Sequence, residues 1–210
     1  MNFINKLKIV AGLKVDKTNS TDENHHCQIL KDDSIDVVFA KKLIQNNGSF
    51  FYCDEKEDLI KTLQALTKNI QTNLIYCTEK ILQELLKKSS IDYTEDDYAS
   101  CDTILSSCEY LIAHQGKIML SSRQLGPNAI KNLPKEHIII AYTSQIVKNL
   151  NDAMSGVNTR YIDNLPSTIT TITGDKEKQT TTSEGNIKNL SVILIEDYNT
   201  KSWNDIISSK

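Results

Sequence analysis

Three short polar clusters hold most of the residues that could do chemistry in this 210-residue chain. The first is Ser106, Ser107, Cys108 and Glu109. The second joins His114, Gln115 and Gly116 to Ser121, Ser122 and Arg123. The third begins at Ser167, ends at Gly174, and includes Thr170 and Thr173. Thr143 and Gln145, which follow another apolar run, extend the set. Each cluster adjoins a segment that reads as a strand. In open α/β sheets ligands settle at the carboxyl ends of strands, where loops offer free amides and hydroxyls. Hydroxyl-rich turns hold phosphate or carboxylate through backbone N–H groups. Ser and Thr are also ordinary turn residues. Binding is therefore expected of the clusters taken together, with a small organic or phosphorylated molecule as ligand. Ser106 or Ser107, Gly116, Ser122 and Thr170 are expected to line one concavity.

Two sharper chemistries can be weighed on the same residues. Cys108 and His114 would form a nucleophile–base pair only within hydrogen-bond reach. Six residues of extended chain span about 20 Å, so they meet only if the chain bends. Arg123, one of few arginines, follows a Ser-Ser turn and could clamp an anion through its planar fork. Several motifs are missing: a Walker loop, Gly-x-Gly-x-x-Gly after a strand, a Gly-x-Ser-x-Gly elbow, and His-Glu-x-x-His. No Cys-x-x-Cys spacing occurs among the five cysteines, and no metal or cofactor is expected. Cys53 and Cys77 each end a strand-like run and read as small buried hydrophobes. His25, His26 and Cys27 fall in a polar loop.

The elements that must position these clusters follow from periodicity and punctuation. A helix over 37–45, capped by Asp36, stops at Asn46-Asn47-Gly48. A strand over 49–53 follows, then a helix over 55–70 capped by Asp54, with Leu59, Leu63 and Leu66 on one side. A strand over 73–77 precedes a helix over 79–88 capped by Thr78. This alternation argues for parallel βαβ units. Residues 110–113 and 117–120 read as paired strands joined by a tight turn at His114, Gln115 and Gly116, with Gly116 supplying backbone freedom. Residues 137–142 carry three consecutive isoleucines, a pattern suited to burial on both faces. A helix over 145–154 is expected next, capped by Ser144 and ended by Ser155-Gly156. A last strand covers 190–195. The run 175–185 is polar, and the tail holds Trp203, the only tryptophan.

Composition sets the outer limits. Hydrophobic residues make up 39%, charged residues 24%, and the net charge is -3. A chain of this size buries roughly 70% of its unfolded surface, enough for a core without disulfides. Affinity for nucleic acid needs a basic stripe, and the chain offers only isolated pairs, Lys41-Lys42 and Lys87-Lys88, read as solvated helix faces. No apolar run is long enough to span a membrane. Residues 1–13 read as a short amphipathic helix that packs on the body or on a second copy in a homodimer. Lys6 and Lys8 interrupt the apolar centre a secretory signal needs. A cytoplasmic setting is expected. The division expected is an N-terminal helix and polar linker over 1–34, then one α/β domain over 35–210.

The middle and C-terminal segments also carry a resemblance. The stretch CDTILSSCEYLIAHQGKIMLSS, then LPKEHIIIAYTSQIVKNLNDAM, then NLPSTITTITG, resembles the LUD domain of lactate-utilization protein C and its relatives. The shared order is a strand pair around a glycine turn with a following Ser-Ser, then a Leu-Pro, an isoleucine-rich strand and a threonine-rich segment. The resemblance implies a three-layer α/β/α architecture with a mostly parallel sheet, related to sugar-phosphate isomerases and CoA transferases. It also implies a ligand-binding subunit working beside iron–sulfur proteins in oxidising lactate. His114 and Gln115 stand where the family's pattern has an acidic residue and a threonine. CoA transferases of this fold use a glutamate nucleophile, and His114 cannot form that acyl anhydride. Two alternatives stay open: an enzyme of the same fold acting on a nucleotide or sugar phosphate, as a cyclo-ligase or isomerase, and a non-catalytic interaction subunit.

Overall fold

The computed structural model describes residues 28–54, 56–126, 128–174 and 186–197. The expected N-terminal helix, His25, His26, Cys27, the run 175–185 and Trp203 lie outside the described residues. The helices are α1 (Ile35–Gln45), α2 (Lys56–Asn69), α3 (Lys80–Lys88), α4 (Ser122–Leu125) and α5 (Leu150–Arg160). The strands are β1 (Ser49–Cys53), β2 (Ile75–Tyr76), β3 (Tyr93–Thr94), β4 (Thr103–Ser106) and β5 (Tyr110–Ile112). They continue as β6 (Lys117–Ser121), β7 (Glu136–Tyr142), β8 (Ile146–Val147), β9 (Ile169–Ile172) and β10 (Asn189–Ile195).

Six strands form a central sheet in the order β1-β10-β7-β4-β2-β3, every neighbouring pair parallel. Strands of such a sheet are buried on both faces, which is why β4 and β7 read as near-continuous apolar runs. Successive side chains alternate between faces. Ile138, Ile140, Ile193 and Ile195 meet Leu59, Leu63 and Leu66 of α2 and Leu82, Leu85 and Leu86 of α3. On the other face Ile104, Ile139, Val192 and Leu194 meet Phe39, Ala40 and Leu43 of α1.

A second sheet of four strands, β8-β5-β6-β9, packs on this second face through Leu111, Ile118, Leu120 and Ile172. Its outer face, with Tyr110, Ile112 and Met119, is covered by Ala153 and Val157 of α5. The expected three-layer α/β/α architecture is therefore present: α2 and α3 on one side of a parallel sheet, α1 and α5 on the other. The small sheet is interleaved beneath α5. Cys53 and Cys77 are buried as expected, and burial pushes their thiols up to about 11 and about 12.

Several local expectations change. Ser34, not Asp36, is the N-cap of α1, and Asp36 sits in its first turn. Glu79 rather than Thr78 precedes α3, and the Thr78 hydroxyl instead donates to the Gln124 carbonyl at 3.2 Å. Lys41 is not solvated: it is buried on a 2.7 Å ion pair with Asp33 and a 2.7 Å bond to the Gln28 carbonyl. Ser144 starts no long helix. A single 3₁₀ turn, Thr143–Gln145, leads into β8, which pairs with β5. The helix begins later, capped by Asn149 accepting from the Asp152 N–H, and runs through Ser155-Gly156 to Arg160. Gly156 is tolerated because the Tyr110 ring packs there; a Cβ would lie 2.3 Å from its hydroxyl.

Candidate functional site

The hairpin β5–β6 turns at His114–Gly116 as expected, with Tyr110 opposite Met119 and Ile112 opposite Lys117. Gly116 has φ +59. Its alpha carbon faces the end of α1, where an added Cβ would stand 2.6 Å from the Lys42 carbonyl carbon. Asn46 of that helix end donates to the Gln115 and Gly116 carbonyls at 2.9 and 3.2 Å, and to Thr173 Oγ1 at 3.5 Å. Gly174 presses on the Asn46 carbonyl. The turn is thus an internal joint between α1, the hairpin and the end of β9. His114 and Gln115 are exposed at its edge.

The other end of β6 is a different place. Ser121 caps α4, accepting from the Arg123 N–H at 3.1 Å, while Gln124 Oε1 accepts from the Ser121 N–H at 2.8 Å. The Ser121 hydroxyl lies 2.7 Å from Glu109 Oε1. Glu109 is 1% exposed and accepts also from Gln124 (3.0 Å), Tyr161 (3.1 Å) and Arg160 (3.1 Å). Arg160 keeps 42% of its side chain exposed, lies 4.9 Å over the Tyr110 ring, and donates to the Tyr110 hydroxyl. Arg123 stacks 4.4 Å from the centre of the Tyr161 ring and donates to the Asn164 carbonyl. Burial raises the Tyr161 phenol, and the Glu109 charge adds to the rise.

A cleft of about 270 Å³ opens here, against the carboxyl ends of β2, β4 and β7. Its polar lining includes Glu79, Ser107, Glu109, Tyr142, Gln145 and Arg160. Glu79, from the exit of β2, reaches Ser107 at the exit of β4. One oxygen accepts from the Ser107 N–H at 2.6 Å and the other from its hydroxyl at 2.5 Å. Burial raises the Glu79 pKa, the Ser107 bonds pull it back, and the Glu109 charge pushes it up again. Gln145 ties the exit of β7 to the β4–β5 loop, accepting from the Tyr142 N–H at 2.8 Å and donating to the Cys108 carbonyl at 2.5 Å. Burial first, then the Glu79 and Glu109 charges, drive the Cys108 thiol's pKa well up.

The expected single concavity is therefore split. Ser107, Glu109 and Gln145 line the cleft. Ser121 supports it through Glu109, and Ser122 accepts from the Ser167 N–H at 3.1 Å beside it. Thr143 turns away to Asp197, 2.7 Å distant. Ser106 points into the core, its hydroxyl 2.8 Å from Nε2 of the fully buried His137. Gly116, His114, Gln115 and Thr173 gather at the opposite end of β6, and Thr170 lies along β9 on Asn186. The pair Cys108 and His114 does not form: one is buried at the start of β5, the other exposed beyond its end. Sequence reasoning missed Glu79, Tyr142, Arg160 and Tyr161. Asn149 with Asp152 three residues on was a usable cap signal, and it would have carried the helix on to Arg160.

A parallel central sheet with helices on both faces defines the class: a three-layer α/β/α fold. Residues 37–195 match the LUD domain, and the chain belongs to that family. A solved structure described as a DUF162 family protein from Deinococcus radiodurans is similar at TM-score 0.57 and 18% identity. The match covers 77% of this chain and 96% of that one, and it carries the fold. No curated protein matches the chain. Among the described residues no helix is long and apolar enough to cross a membrane.

Proposed function

We propose that this LUD-domain chain is a small-ligand-binding subunit similar to lactate-utilization protein C, acting in the cytoplasm beside iron–sulfur proteins that carry the electrons. The observation that supports a ligand site is the cleft of about 270 Å³ at the exits of β2, β4 and β7, with carboxylate, guanidinium, phenol and amide groups converging on it. Concave sites with a few convergent polar groups at strand ends are where α/β proteins take small molecules. Family membership supports the lactate-oxidation setting.

The test is thermal melting against small organic acids, sugar phosphates and nucleotides, in the parent and in Gln145→Ala and His114→Ala. A ligand that binds only the folded state raises the melting temperature. The expected result is a rise with one ligand class that Gln145→Ala removes and His114→Ala, at the far turn, leaves intact. The opposite pattern sinks the cleft as the site. One observation favours a second reading, an enzyme of the same fold acting on a nucleotide or sugar phosphate: Glu79 and Glu109 place two carboxylates in one cleft. Turnover abolished by Glu79→Gln would establish it.

A further inference from the structure

Ser107 offers its main-chain N–H and its hydroxyl side by side at the exit of β4, and both are taken by one carboxylate of the same chain, that of Glu79. The pair of bonds, 2.6 and 2.5 Å, places one donor on each carboxylate oxygen. Such charge-assisted pairs are the strong ones, and they are selective for a planar anion with two oxygens. Glu79 holds this place against two opposing influences, its own desolvation and the charge of Glu109. The carboxylate makes no capping bond to α3, so the helix does not depend on it. The cleft beside it is open, and the residue is partly exposed to it.

We infer that Glu79 is a replaceable internal occupant of a carboxylate seat on Ser107, and that the cleft's ligand is a small carboxylic acid whose carboxylate takes that seat as Glu79 swings into solvent. The inference rests on the reading of the cleft as the ligand site and adds the ligand's class. The exchange leaves the charge on Ser107 unchanged, one carboxylate for another. It returns Glu79 to water and moves its charge away from Glu109. Arg160, 42% exposed at the rim, draws the incoming anion. Phosphate, a tetrahedral dianion, matches two donors built around a planar monoanion less well.

The experiment uses acetate as the probe, with acetamide and inorganic phosphate as controls, titrated into the full chain as parent, Glu79→Ala and Glu79→Gln. Vacating the seat should tighten acetate binding by about tenfold or more in Glu79→Ala, the equivalent of one hydrogen bond to a charged group. Glu79→Gln should show the same sign and a smaller gain, and acetamide should gain nothing. Adding Ser107→Ala to Glu79→Ala should remove most of the acetate gain. Equal gains for acetate and acetamide, or a phosphate gain exceeding that of acetate, overturn the inference. So does failure of both Glu79 variants to fold, which would make the Glu79 carboxylate structural. If organic acids or phosphates stabilise the parent through Gln145 while Glu79→Ala gains no acetate affinity, the seat is wrong and the cleft reading stands. If Gln145→Ala changes nothing and Glu79→Ala gains nothing, both fall.

Discussion

The two ends of β6 carry similar-looking residues and are opposite in kind. At one end Gly116, Thr173 and Gly174 close against the backbone of α1, with Asn46 donating into the joint. At the other end Ser121 leads to a buried carboxylate, an exposed guanidinium and a cleft. Small polar residues serve close packing in the first place and support a polar cleft in the second. The difference lies in what faces them: main chain on one side, titratable side chains and open space on the other.

The largest effect expected is at the closed end. Gly116→Val places a side chain 2.6 Å from the Lys42 carbonyl carbon at φ +59. Backbone strain and overpacking together should remove about 4 kcal/mol in urea unfolding. A variant as stable as the parent would erase the contrast between the ends. Next comes the open end, where Glu109→Ala deprives Arg160, Ser121, Gln124 and Tyr161 of their common acceptor. The expected loss is about 3 kcal/mol, at the low side for a broken buried pair because Arg160 can be rehydrated. A ligand response that survives Glu109→Ala would detach that network from the site.

A third test fixes where the open end stops. Ser107 lines the cleft, yet Ser106, one residue back, bonds the buried His137. Burial holds the His137 pKa down at about 3, with the Lys188 charge adding to it. The folded form therefore resists a proton that the unfolded chain accepts below 6.5. This contribution is complete above that pH and is lost as the pH falls toward 3. Stability should drop by about 2 kcal/mol between pH 6.5 and 5, at about 1.4 kcal/mol per unit. His137→Asn should flatten that slope; an equal slope in the variant would mean water reaches Ser106. The smallest effect compares two glycines of like φ. Gly126 has φ +63, but a Cβ there meets nothing nearer than Thr78 at 3.8 Å. Gly126→Ala should cost only the backbone strain of φ 63 with ψ -147, a glycine region, about 1.5 kcal/mol. A larger loss would show that conformation, not the approach to α1, dominates at Gly116 too.

The closed end was the more legible in the sequence. A glycine between two short apolar runs announces a hairpin, because local turn geometry sets register. The parallel core was legible for a similar reason, since β7 and β10 bury both faces and read as unbroken apolar runs. The open end was not. Glu79 reads as the first residue of a helix, and only the fold brings Ser107 to it from 28 residues away. Ile146 and Val147 look helical after Ser144, but pairing with Leu111 and Ile112 overrides that preference. Arg160 lay hidden behind an apparent stop at Gly156, where the packing Tyr110 supplies is invisible to periodicity.

The position of β10 has a consequence for synthesis. This late strand lies between β1 and β7, in register with both. Until residues 189–195 leave the ribosome, β1 has no partner in the sheet, and β7 keeps a bare edge toward it. The N-terminal part cannot settle by vectorial growth from its own end. It must wait for the most distant contact in the sheet, which makes completion of the fold a late event that closes a long loop. An exposed parallel edge on a nascent chain invites pairing with other chains. Stalling translation just before Asn189 should therefore leave a chain that chaperones hold, and release only a few residues later should let the sheet close in a single cooperative step.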